Sequence, residues 1–133
     1  MAELQKHAWD MAEEADENVE TVSFDEMKQE VEDDDSLVVD LRDVREVWRD
    51  GTIPGSKNVP RGMLEFWADP ETEYYKEFFD PDRRTVLFCN KGGRSALSTD
   101  KLQEMGFDDV AHLDGGFSNW KESGGEVEEV DPE

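Results

Sequence analysis

Several scarcities already limit what this chain does. It has one cysteine in 133 residues, Cys89, so no intramolecular disulfide can form and a reducing, cytoplasmic setting is expected. Basic residues are few: 14 Lys and Arg stand against 36 Asp and Glu, a formal net charge of -22. Proteins that hold nucleic acid gain affinity by setting Lys and Arg against phosphates, so nucleic acid is excluded as a partner, and so is an anionic membrane surface. No apolar run approaches the ~18 residues of a membrane span. The opening Met1-Ala2-Glu3-Leu4-Gln5-Lys6-His7 lacks the basic stretch and apolar run of an export signal, so neither insertion nor export is expected. Histidine is also rare. His112 falls on a predicted strand and His7 in a predicted helix, neither with Cys or His at ligand spacing, and structural or solvated roles fit both.

What is present is acid, spread along the chain and densest at its ends. Residues 1–35 carry 14 acids and 2 bases, and residues 110–133 carry 7 acids and 1 base. Four Trp and seven Phe argue against a disordered acidic chain, because disordered segments are poor in aromatics. A folded domain with an acidic surface suited to high salt, as in a halophile, is the expectation. Two stretches escape the acidity. Gly51 to Leu64 has only Lys57 and Arg61 as charges, and Arg83 to Thr99 has only Arg83, Arg84, Lys91 and Arg94. A buried strand needs no charge, but that explains only Val86 to Cys89, so the second gap suggests a site for something anionic.

Periodicity gives an α/β order. Leu4, Ala8, Met11 and Ala15 predict an amphipathic helix over 3–16, set apart from the domain as an N-terminal extension over residues 1–18. A short strand at Val19 to Val22 leads to Ser23 and Glu26, a capping-box pair opening a helix with Phe24, Met27 and Val31 on one face. Leu37 to Leu41, Thr85 to Cys89 and Val110 to Leu113 read as short buried strands, and Lys57 to Pro60 as another. Helices are predicted around Val44, Val47 and Trp48, from Arg94 to Met105 with Gly106 as C-cap, and from Phe117 to Glu122; two more short ones are predicted between Gly62 and Phe79. Trp48, Trp67 and Trp120 fall on apolar helical faces and read as core. Glu126 to Glu133 reads as a loose acidic tail. Strands alternating with helices give a largely parallel central sheet flanked by helices in three layers.

Parallel sheets place their sites beyond the carboxyl ends of the strands, and Cys89 falls there. Gly92 and Gly93 let the loop curl, and the helix that follows presents free amides and the positive end of its dipole. With Lys91 and Arg94 close by, that setting favours an anionic, nucleophilic sulfur.

These residues resemble the rhodanese, or thiosulfate sulfurtransferase, domain over roughly Val19 to Val127. The resemblance rests on four motifs in order: Val38-Val39-Asp40-Leu41-Arg42, Asp50 to Pro60, Cys89 to Ser95, and Leu113-Asp114-Gly115-Gly116-Phe117-Ser118-Asn119-Trp120. Thr52 stands where the family commonly has histidine, a change expected to affect packing rather than chemistry. The resemblance implies a single rhodanese-like domain that needs no metal or organic cofactor. It implies a small anionic sulfur donor such as thiosulfate and a thiophilic acceptor: cyanide, a thiol or a sulfur-accepting protein. On matching positions, Cys89 would be nucleophile and persulfide carrier, and the amides of Asn90, Lys91, Gly92, Gly93, Arg94 and Ser95 would cradle the persulfide. Lys91 and Arg94 would orient the donor, with a brace for the loop as the other role open to Arg94. Asp40 and Arg42 would support the loop, as an ordinary ion pair or in contact with substrate.

Two rival readings share the cysteine. Phosphatases and arsenate reductases ring an oxyanion with five residues between Cys and Arg, whereas four separate Cys89 from Arg94: Asn90, Lys91, Gly92 and Gly93. A non-catalytic interaction module commonly lacks the cysteine. A persulfide relay to a partner protein shares the first half-reaction and stays open.

Overall fold

The computed structural model describes residues 2–132. Five strands form one parallel sheet in the order β1-β5-β4-β2-β3, with β1 at Glu20–Val22, β2 at Leu37–Asp40, β3 at Lys57–Asn58, β4 at Thr85–Phe88 and β5 at Val110–Leu113. β2, β4 and β5 are buried along their whole length, as central parallel strands covered on both faces must be. Alternation then divides the core. Leu37, Val39, Leu87 and Val110 face one side with Leu64, Phe79 and Leu102; Val38, Val86, Phe88, Ala111 and Leu113 face the other with Met27, Phe117 and Trp120.

Among the described residues six helices flank the sheet: α1 Ala8–Asp16, α2 Phe24–Asp33, α3 Val44–Asp50, α4 Leu64–Ala68, α5 Gly93–Met105 and α6 Gly116–Glu122. The Ser23 and Glu26 capping box forms as the sequence predicts, and Asp43 with Glu46 forms a second one at the start of α3. Each such cap is worth about 1 kcal/mol to its helix. Gly106 ends α5 at φ 114°, a conformation that favours glycine.

Local reading and structure differ in several places. α1 starts at Ala8 rather than residue 3, because His7 is extended and Leu4 is exposed with nothing to pack against. Between Gly62 and Phe79 only α4 forms, entered through a 3-10 turn at Arg61–Met63; the rest is irregular chain anchored by buried Phe79, whose carbonyl accepts from the Tyr75 hydroxyl at 2.7 Å. Trp48 is 39% exposed instead of core, since only Val47 of that helix is buried. The end of the chain is pinned through Glu128: Thr52 and Glu128 exchange two backbone hydrogen bonds of 2.9 Å, and the Trp120 indole donates to Glu126 O at 2.7 Å. Among the described residues no helix is long and apolar enough to cross a membrane.

Candidate active site

Cys89 directly follows β4, and the chain turns at Gly92, φ 102°, into the first residue of α5. This short turn points backbone donors at the sulfur. The Gly92 amide lies 3.1 Å and the Ser95 amide 3.4 Å from Cys89 Sγ, and the Ser95 hydroxyl lies 3.5 Å away. Of the six amides expected to cradle sulfur, these two reach Sγ itself. The amides of Gly93 and Arg94, in the first turn of α5, lack intrahelical acceptors and face the same helix N-terminus. Cys89 is 1% exposed, yet it is among the residues lining a cavity of about 300 Å³.

The closing motif holds this loop from beneath. Phe117 N donates to Cys89 O at 2.8 Å and Ser118 N to Asn90 O at 3.1 Å, so the start of α6 satisfies the loop's first two carbonyls. That approach requires glycine at 116: a Cβ there would sit 2.5 Å from Cys89 O, with φ already at +60°. The Ser118 hydroxyl also meets the Asn90 side-chain oxygen at 3.3 Å.

Asp40 and Arg42 form a closed cluster at the end of β2. Arg42 donates twice to the Asp40 carboxylate, at 3.0 and 2.8 Å, and once to Gly51 O at 2.6 Å; its guanidinium lies 4.1 Å from the Phe117 ring centre. The Thr52 hydroxyl donates to Asp40 at 2.7 Å, so this residue fastens the ion pair as well as packing. Arg42 is fully buried and Asp40 1% exposed, and among the described residues Arg42 Nη1 is the one buried side-chain polar atom without a partner. Asn58 ties the second motif to this cluster by donating to the Asp40 and Arg42 carbonyls.

Arg94 reaches Glu46 of α3 through two bonds of 2.9 and 3.0 Å. The same contact raises the Arg94 pKa and, as its largest cause, lowers that of Glu46. Lys91 is exposed at the cavity rim and pairs with no carboxylate among the described residues. The other two cations of the acid-free stretch serve the far end of the sheet. Arg84 binds Glu20, Glu30 and Asp109 at 2.6 to 2.7 Å, and Arg83 donates to the Asp35 and Ser36 carbonyls.

Local sequence predicted the helix α1 but not its place beside the loop. It packs along α5, and Ala8, Trp9 and Ala12 wall the cavity opposite Lys91, Arg94 and Leu97. A Cβ on Gly93 would come within 2.9 Å of the Trp9 ring, so glycine there lets the helix close over the loop. Nor did spacing reveal His112, which is 3% exposed and bridges Ser95 Oγ at 2.9 Å and the Asp16 carboxylate at 2.6 Å. The only sequence signal was negative: a polar ring in an otherwise apolar strand.

Known proteins share the fold and part of the sequence. A Rhodopseudomonas palustris protein of unknown function, described as a possible tyrosine phosphatase, is 40% identical with a TM-score of 0.91, covering 96% of this chain and 98% of that one. The polysulfide-sulfur transferase homodimer of Wolinella succinogenes is 25% identical with a TM-score of 0.73, covering 90% and 85%. The mouse thiosulfate sulfurtransferase/rhodanese-like domain-containing protein 3 is 29% identical over 104 residues, 74% of this chain but just 66% of that protein, slightly under two thirds of its length. Residues 23–123 match the model of the rhodanese-like domain, and the chain belongs to that family.

Proposed function

We propose that this protein is a sulfurtransferase that carries sulfane sulfur on Cys89, taking it from thiosulfate or a similar anionic donor and passing it to a thiophilic acceptor. The observation that carries the reading is Cys89 Sγ with the Gly92 and Ser95 amides aimed at it, in a residue that lines a cavity. In the first step the thiolate attacks the outer sulfur of thiosulfate; the new S–S bond leaves a persulfide anion on the protein, and sulfite departs with the electrons of the old bond. The amides offset the charge on sulfur as it forms and disappears. Lys91 at the rim attracts the dianion, and Arg94, held by Glu46, braces the loop and adds positive field. In the second step a cyanide or thiolate acceptor takes the outer sulfur and Cys89 leaves as thiolate. A sulfur-accepting protein fits the same step. A lone cysteine suits a reducing cytoplasm, and the acidic surface suits concentrated salt.

The description of the Rhodopseudomonas relative favours a second reading, a phosphatase. Such chemistry needs a loop arginine on the phosphate oxygens, and both forks of Arg94 are engaged by Glu46. One experiment separates them. Incubating the folded protein with thiosulfate adds a single sulfur atom to intact mass, and Cys89→Ala takes up none. No adduct, together with aryl-phosphate hydrolysis that Cys89→Ala abolishes, establishes the phosphatase; no adduct and no hydrolysis leaves a binding module.

A further inference from the structure

Among the described residues, three buried side chains carry titratable or charged groups besides Cys89: Asp40, Arg42 and His112. The first two pair with each other in the cluster at the end of β2, whereas His112 connects to the cysteine sulfur through Ser95 and has no task in the cycle above. Its position follows from strand alternation. Ala111 and Leu113 face α6, so the ring between them points toward α5, one strand over from Leu87 and the loop. There it completes a continuous chain: Cys89 Sγ to Ser95 Oγ at 3.5 Å, Ser95 Oγ to His112 Nδ1 at 2.9 Å, and His112 Nε2 to Asp16 Oδ1 at 2.6 Å. Asp16 belongs to α1, 96 residues away, so the helix that walls the cavity also supplies the outer member.

The partners set the hydrogens. A carboxylate oxygen only accepts, so Nε2 carries the ring hydrogen and Nδ1 is left to accept. The Ser95 hydroxyl has one hydrogen, and Nδ1 at 2.9 Å is nearer than its alternative, Gly92 O at 3.3 Å. Thr21 Oγ1 donates to the same Asp16 oxygen at 3.0 Å and lies 3.4 Å from His112 Nε2, which holds the carboxylate beside that nitrogen.

We infer that Ser95, His112 and Asp16 form a proton path for Cys89. The thiol proton moves to Ser95 Oγ as the serine's own proton moves to His112 Nδ1, leaving Cys89 as thiolate and the imidazole protonated against Asp16. No electron changes hands and no net charge is created. His112 holds the proton while Cys89 is thiolate or persulfide, and returns it when the free thiol re-forms. His112 and Asp16 act through Ser95 and are positioning residues. The inference rests on Cys89 being the nucleophile of the proposed cycle, but it concerns thiolate formation and does not depend on the donor.

Other charges face this ring: Glu13 of α1, Asp114 after β5 and Lys91 of the loop line the cleft around His112. A field effect is therefore separated from a hydrogen-bonded path by comparing Asp16→Asn with Glu13→Gln. The measurement is the rate of Cys89 alkylation by iodoacetamide, followed by intact mass from mildly acidic to mildly alkaline pH. His112→Asn and Ser95→Ala are expected to slow alkylation about tenfold at neutral pH and recover at alkaline pH, a displacement of the profile by about one unit. Asp16→Asn, on a half-exposed side chain that can change without opening the core, displaces it in the same direction. Glu13→Gln displaces it less. An Asp16→Asn profile that coincides with the wild-type one, or moves no further than Glu13→Gln, overturns the path even if His112→Asn fails to fold. Displaced profiles with no sulfur uptake from thiosulfate would sustain the path and defeat the sulfurtransferase reading; sulfur uptake with coincident profiles would do the reverse.

Discussion

The two ends of β4 lie in one acid-free stretch and are used in opposite ways. At the amino end, Arg84 is surrounded by Glu20, Glu30 and Asp109, and the resulting hydrogen bonds raise its pKa, Glu20 most of all. That cation clamps β1, α2 and the approach to β5 together and is spent within the protein. At the carboxyl end Arg94 meets one carboxylate and Lys91 meets none among the described residues, so the Lys91 charge is matched by no ion pair. A gap in acidity therefore does not by itself mark a binding site. What decides is whether carboxylates from distant segments fold back into it.

The Asp40–Arg42 pair breaks the simple form of this contrast, because it lies at a carboxyl end and is nonetheless sealed. Removing one partner leaves a buried charge uncompensated, so Asp40→Ala should lower unfolding free energy by about 3–5 kcal/mol in denaturant titration, the largest effect expected. A loss below ~1 kcal/mol would mean that water reaches Arg42. Next in size is the contrast between the ends. Arg84→Ala should cost roughly 1–2 kcal/mol, the sum of part-exposed pairs, while sulfur loading of the folded protein keeps its rate. Lys91→Ala should leave stability within ~0.5 kcal/mol and raise the thiosulfate concentration needed for half-maximal loading several-fold. Equal effects of both variants on loading would erase the distinction.

The smallest expected effect concerns Glu46. Pairing with Arg94 lowers its pKa, so its contribution is complete above the ordinary glutamate range and is lost as pH falls through the lowered value. Glu46→Gln keeps an acceptor for the Asp43 amide but drops the charge. Its stability should converge with wild type in acid and fall below it near neutrality, by less than ~1 kcal/mol for so exposed a pair. A constant difference across pH would show that the carboxylate's charge contributes nothing.

Legibility in the sequence followed the range of the interactions. The loop after β4 is seven consecutive residues, Cys89 to Ser95, and its geometry comes from glycines and a helix start within that span, so its shape could be read directly. Asp40 and Arg42 were equally visible, being two residues apart on a strand end. Trp48 misled because its helical face is apolar by periodicity while only Val47 finds a neighbour to pack against. Glu46, Asp16 and His112 were silent as site residues, since each reaches the loop from another element and a single acid among 36 carries no local signature.

The sequence alone determined the parallel α/β order, the single cysteine at the end of a strand and the tight amide-lined turn behind it, because hydrophobic period, glycine conformation and helix capping act over a few residues. Tertiary structure decided which cations stay available, that Gly116 lies under the loop, and that α1 walls the cavity and brings Asp16 to His112. Those outcomes depend on packing between segments tens of residues apart, where a few ångströms separate a hydrogen bond from an idle surface charge.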